Sequence, residues 1–186
     1  MIRQSSFFAA LFILTATQAG AVEYGTVAND RSSIAFSSKQ MGVAVDGRFR
    51  KFSAALNFDP AKPTAASARI DIDLSSIDAG SKDADDEVVG KQWFNVKAFP
   101  TASFVSSSVK ALGGDRYEAQ GKISIKGKSQ DVALPFTVKH DSISATFDGS
   151  LSIKRLDFAI GEGAWADVST VANEVQIKFR FIAAKK

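Results

Sequence analysis

Apolar and polar residues alternate with a period of two through most of this chain, and nothing else in it constrains the fold as strongly. That period places successive side chains on opposite faces of an extended strand. The run near the C-terminus is the cleanest, with Val175, Ile177, Phe179 and Phe181 set between Glu174, Gln176, Lys178 and Arg180. Tyr24–Ala28 and Ser32–Met41 read as strands joined by a turn at Asn29-Asp30, with Ile34 and Phe36 on one face. Val43, Val45, Gly47 and Phe49 alternate, and so do Ala54, Leu56 and Phe58, but on the opposite parity. One residue is therefore added within Arg50–Ser53, as a bulge or a strand-to-strand bend would add it. Ala66–Ile77 reads as a single strand, with Ala68, Ile70, Ile72 and Leu74 opposite Arg69, Asp71, Asp73 and Ser75. Further strands are expected over Ala102–Leu112, Arg116–Lys126, Gln130–His140, Ser142–Lys154 and Glu174–Ala183. Gly113-Gly114-Asp115 and Lys126-Gly127-Lys128 stand where hairpin turns belong.

Strands with one wet face and one buried face leave exposed edges unless the sheet closes on itself. The expected class is all-β, an antiparallel barrel of eight to ten strands with one short helix. Long, nearly unbroken hairpins suit a meander, and a two-sheet sandwich is the alternative. About eight strands is the size at which a barrel either fills with its own side chains or holds one small ligand.

The stretch Lys91–Ser108 departs from this pattern. It gathers Trp93, Phe94, Phe99 and Phe104 around Pro100 and does not alternate until after the proline. Ahead of it, Ser81 can cap a short helix whose first turn carries Asp83, Asp85 and Asp86, where the helix dipole favours carboxylates. Val88, Val89 and Trp93 would be its buried side, and it is expected to end near Phe94. In a closed sheet such a segment is either a plug over one mouth or an ordinary part of the core.

The N-terminus reads as a leader. Arg3, the apolar run Phe7–Ala16 and the small residues Ala19-Gly20-Ala21 make a secretory signal peptide over residues 1–21. Residues 22–186 are then one barrel domain, exported and soluble in the periplasm. The run is too short to span a bilayer. The chain has no cysteine, which excludes disulfides, thiolate metal sites and attached haem. A formal charge of +3 with interspersed signs and no basic run leaves nucleic-acid binding without support.

Catalytic candidates are few. His140, beside Asp141, is the chain's single histidine and reads as a wet turn residue. Asp83, Asp85, Asp86 and Glu87 lack the spacing of a calcium loop and fit a helix start. Asp71 and Asp73 point to solvent, and Gly161-Glu162-Gly163 has no following helix to cradle a phosphate. No enzyme, metal site or cofactor is expected. What remains is an apolar interior in which rows such as Ala119, Gly121, Ile123, Ile125 and Ala145, Phe147, Gly149, Leu151 mix small and large residues. Alternation leaves a filled core and a hollow pocket equally open.

Several segments together resemble the YceI-like family of exported, lipocalin-like proteins. They are Asp30 with Ile34 and Phe36; Gly47-Arg48-Phe49 with Phe52; Phe58-Asp59 and the strand ending Ser75-Ser76-Ile77; Trp93-Phe94, Phe99-Pro100, Phe104 and Ser106; Tyr117, Gly121, Ile123 and Ile125-Lys126-Gly127; and Arg155-Leu156-Asp157-Phe158 with Ile160-Gly161. The resemblance covers Tyr24 to Phe181. It implies a barrel around an apolar tunnel that binds a polyisoprenoid or an isoprenoid quinone without catalysis. The residues that would line such a tunnel are Phe36, Phe49, Leu56, Ile70, Ile72 and Leu74 from the first half. Trp93 and Phe94 would join from the central stretch. Phe104, Ile123, Ile125, Phe136, Phe147, Leu151, Phe158, Ile177 and Phe179 would come from the second half. The Gly161–Asp167 run looks like a subgroup form whose members accompany membrane b-type cytochromes, which makes a ligand-free accessory or interaction module of such a cytochrome system the alternative function, and the resemblance also allows a homodimer. Many members have a histidine near the position of Lys39-Gln40-Met41-Gly42, so no role of that histidine carries over.

Overall fold

The computed structural model describes residues 22–186, and the expected leader lies outside the described residues. Eleven strands and one α-helix follow one another: β1 (Tyr24–Val27), β2 (Ser33–Gln40), β3 (Val43–Phe49), β4 (Phe52–Phe58), β5 (Ser67–Asp73), β6 (Ile77–Asp78), α1 (Lys82–Val88), β7 (Thr101–Gly113), β8 (Arg116–Ile125), β9 (Lys128–His140), β10 (Ser144–Lys154) and β11 (Glu174–Lys185). All pairings are antiparallel. Eight strands close the ring in the order β1-β4-β5-β7-β8-β9-β10-β11, with β11 returning to β1. The fold is a closed antiparallel barrel.

The three remaining strands continue ring strands beyond a corner. Residues Lys185–Ala183 of β11 pair with β1, and Arg180–Gln176 pair with β2. β4 pairs with β1 while β3 pairs with β2, and β5 pairs with β4 while β6 pairs with β3. Each of these three wall positions is thus one strand interrupted at the same level. The interruptions are a 3₁₀ turn at Asn29–Arg31, the Arg50-Lys51 link and a 3₁₀ turn at Leu74–Ser76. Hydrogen bonds tie the last two together, from the Arg50 amide to the Ser76 carbonyl at 3.0 Å and from the Asp73 amide to the Lys51 carbonyl at 3.1 Å.

Two expected elements are shorter than the sequence suggested. The strand expected over Ala66–Ile77 stops at Asp73, whose carboxylate accepts hydrogen bonds from the Ser75 amide at 2.9 Å and hydroxyl at 2.6 Å. A side chain that satisfies the backbone locally competes with the ladder, and the chain turns there, with Leu74 still buried. The helix starts as expected, with Ser81 accepting from the Ala84 amide, but ends at Val88 and not near Phe94. Gly90 lowers helix propensity by about 1 kcal/mol relative to alanine, and the chain proceeds as successive turns through Asn95, which has a positive φ of 50°.

The corner makes the two ends of the barrel unlike. At one end the ring is complete, and Phe58, Tyr117, Phe136 and Phe147 pack edge-on and stacked, with ring centroids 5.1 to 6.5 Å apart. At the other end β6 is two residues long and pairs only with β3. The wall is therefore open between β6 and β7, and residues 79–100, including α1, fill that gap.

Candidate functional site

A cavity of about 750 Å³ occupies the open half of the barrel. Its wall is the inward row of the strands, among them Ile34, Ile70, Ile123, Leu151 and Ile177, with Trp93 and Phe94 against one side. It reaches the surface between the β2–β3 hairpin (Lys39, Gln40, Ala44, Asp46) and α1 with the residues before it (Gly80, Ser81, Asp83, Glu87). The lining is apolar at depth and polar at this rim. Away from the rim, Phe104, Phe179 and Phe181 separate it from a second cavity of about 50 Å³.

Phenylalanine rings in a barrel would ordinarily reach into the lumen. Three of them pack against a glycine of the adjacent strand. Phe36 rests over Gly47, its partner across the β2–β3 ladder, and Phe179 over Gly149, its partner across β10–β11. A Cβ on Gly121 would stand 2.7 Å from the Phe104 ring. A glycine opposite an aromatic lets the ring approach the sheet closely, which a Cβ there would prevent. The small inward residues of the sequence thus make room by receiving a neighbour's ring.

The rim is held by Arg155. It is 1% exposed, and each of its five N–H groups donates to a backbone carbonyl. Nε donates to Ala172 (3.1 Å), Nη1 to Ile160 and Gly161 (2.8 and 2.9 Å), and Nη2 to Trp165 and Val171 (both 2.7 Å). Burial pushes its pKa down, yet an arginine keeps its charge in proteins. The connection Arg155–Asn173 is wrapped around this one guanidinium. The guanidinium also lies over the Trp93 ring, 5.8 Å from its centroid.

That connection fastens the central stretch in turn. The Gln92 carbonyl accepts from the amides of Gly161 and Glu162 at 2.9 and 2.8 Å. Trp165 packs 5.5 Å from Trp93 and donates its Nε1–H to Glu87 of α1 at 2.8 Å. Lys126, on the β8–β9 turn, donates to the carbonyls of Lys91 and Ala159 at 3.1 and 2.6 Å and pairs with Glu162 at 2.9 Å, which holds the Glu162 carboxyl below its usual range. Two polar atoms, Ser38 Oγ and Trp93 Nε1, are buried and have no hydrogen-bond partner among the described residues. Both residues belong to the cavity lining.

Of the residues expected inside a tunnel, Phe36, Phe49, Ile70, Ile72, Leu74, Trp93, Phe94, Phe104, Ile123, Ile125, Leu151, Ile177 and Phe179 lie on the large cavity. Leu56, Phe136 and Phe147 lie elsewhere, around the small cavity at the closed end. Phe158 lines neither and is fully buried under the open half, packed with Leu74, Ile153 and Ile160. It sits in a 3₁₀ turn after β10, where strand parity no longer governs direction. The rim residues of β2, β3 and α1, and Trp165, were not singled out by the sequence. Arg155 could have been, because it continues the inward row of Leu151 and Ile153. His140, Asp157 and Asp167 are exposed. Among the described residues no cluster of three or more His, Asp or Glu side chains comes together, and no helix is long and apolar enough to cross a membrane.

The fold is a closed antiparallel, lipocalin-like barrel whose larger cavity is apolar at depth and opens at a polar rim. The YceI-like domain model matches residues 26–183, and the chain belongs to that family. It is 30% identical over 177 residues to a UPF0312 protein of Pseudomonas aeruginosa, covering 89% of this chain and 88% of that one. Its structure is similar to that of BcnA from Burkholderia cenocepacia, with a TM-score of 0.83, 48% identity, and 84% of this chain and 99% of that one covered. It shares its fold with a polyisoprenoid binding domain from Saccharophagus degradans, with a TM-score of 0.68, 15% identity, and 89% and 99% covered.

Proposed function

We propose that this protein is an exported, periplasmic, non-enzymatic binding protein that holds one isoprenoid lipid, a polyprenol or an isoprenoid quinone, tail-first in the barrel. The observation that carries the proposal is the cavity of about 750 Å³ with an apolar depth and a polar rim, within the usual size range of ligand pockets. Each buried methylene contributes roughly 0.8 kcal/mol, so a few isoprene units offset an association cost of about 4–15 kcal/mol. The tail would lie along the aliphatic rows, and the head would stay at the rim. The shared fold with a polyisoprenoid binding domain supports the same reading. So does the dispersal of polar groups. All five N–H groups of Arg155 are engaged by carbonyls, while His140, Asp157 and Asp167 face solvent at separate places.

Native mass spectrometry of protein purified from its host without detergent tests this. The expected result is an adduct that dissociates as an isoprenoid lipid, and a stripped protein that takes up added polyprenol or ubiquinone. Lipid-free protein that binds neither overturns the proposal.

A further inference from the structure

The large cavity has a floor, and the floor is made of side chains. Two cavities lie in line within one barrel, about 750 Å³ on the rim side and about 50 Å³ towards the closed end. They have Ile70, Phe104, Leu134, Phe179 and Phe181 in common. Four of these five are buried, whereas Phe179 is only partly so. Since Phe179 points into the barrel from β11, its remaining exposure is to the cavity. Its ring lies against Gly149 on one side and stacks on Phe181 on the other, with centroids 5.1 Å apart at 24°.

We infer that Phe179, with Phe104, is the ruler that sets how long an isoprenoid chain the barrel accepts. This rests on the reading of the cavity as a lipid site and goes beyond it by naming what fixes the ligand's length. Beyond these two rings the barrel still has apolar space, bounded by Leu56, Ala68, Ala119 and Phe147. Removing a ring joins that space to the main cavity. The gap so opened is dry and hydrocarbon-lined, and an empty apolar cavity of that kind takes up apolar ligands. A chain one or more isoprene units longer than the wild-type optimum would then bury units that the intact floor leaves outside at the rim, where they gain nothing.

The test is competition binding, with a ladder of polyprenols that differ by one isoprene unit, on wild type and on Phe179→Ala. Wild type is expected to show an optimum length, with no gain in affinity beyond it. In Phe179→Ala the optimum moves to longer chains, and the long-to-short affinity ratio rises by about tenfold or more. Ala119→Leu, added to Phe179→Ala, fills the space beyond the floor and returns the optimum towards the wild-type length. Should the alanine variant fail to fold, Phe179→Leu, which keeps most of the volume, carries the same measurement with a smaller shift in the same direction. An unchanged length profile in a folded variant overturns the ruler while leaving lipid binding intact. Absence of binding to every polyprenol by wild type overturns the reading on which it rests.

Discussion

Arg155 carries a positive charge into a place where no carboxylate answers it. A lone buried charge is costly, and here five carbonyl dipoles take the place of a counter-ion. The arrangement depends on the fork of the guanidinium, because lysine offers three donors on one nitrogen. Arg155→Lys is expected to lower unfolding free energy by about 3 kcal/mol through carbonyls left unpaired, measured by urea denaturation. Gly161 is the second half of the arrangement. It has a φ of 76°, and a Cβ there would run into Arg155 Nη1. Gly161→Ala should destabilise by about 1–3 kcal/mol. Because both substitutions damage one contact, their effects should sum to clearly more than the double variant loses. Strict additivity would mean that the loop is held by something other than this guanidinium.

The central stretch, Lys91 to Ser108, fills the gap between β6 and β7 up to Pro100 and is a wall strand after it. Its first part has almost no ladder of its own and is held by the 155–173 connection and by α1. The Trp165–Glu87 hydrogen bond spans these two, beside the opening of the cavity. Trp165→Phe keeps an aromatic ring against Trp93 and removes the bond. Bound lipid should then be released several-fold faster, with the unfolding free energy changed by less than about 1 kcal/mol, the scale of one hydrogen bond. Replacing both Trp93 and Phe94 with alanine should weaken retention more than it lowers stability, and unfolding without a separate loss of binding would make the pair ordinary core. The strands on either side of this stretch were legible in the sequence because alternation reports which face is buried. Residues whose direction is set by a turn were not. Phe158 and Leu74 both leave a strand through a 3₁₀ turn, and only Leu74 emerges on the cavity. Alternation also cannot say whether a buried row meets another row or empty space. That was decided by Gly47, Gly121 and Gly149, each placed under a ring that comes from the adjacent strand. Such pairing depends on register, which becomes visible only when the strands are aligned.

Across the barrel, carboxylates fasten the corner, a strand pair, a turn and the rim. Asp78 pairs with Arg50 at 3.0 Å and Arg48 at 3.1 Å across the corner. Glu118 pairs with Lys110 at 2.8 Å between β7 and β8, and Glu162 pairs with Lys126 beside the rim. Asp141 closes the β9–β10 turn by accepting from the amides of Ile143 and Ser144. All four have pKa values lowered by these partners: Asp78 first by Arg50, Glu118 by Lys110, Glu162 by Lys126, and Asp141 by the Ile143 amide. A lowered value in the folded state means that the unfolded chain takes up protons first as pH falls, so folding becomes less favourable on acidification. The contribution is complete above the ordinary carboxylate range and is lost as pH drops through and below about 4. These groups lie at the surface, so salt should flatten the dependence by screening the ion pairs, while the Asp141 turn, which rests on amides, should be less affected. Thermal unfolding between about pH 6 and about pH 3, at low and high salt, is expected to show a midpoint that falls with acid and falls less steeply at high salt. Lys126→Met removes at once the cation that holds Glu162 ionised and the hydrogen bonds to the Lys91 and Ala159 carbonyls. Its midpoint should decline less between these limits than that of the wild type, and its bound lipid should be released faster even at neutral pH. A Lys126→Met profile parallel to the wild type would show that the Glu162 pair is screened by solvent and contributes nothing to the acid dependence.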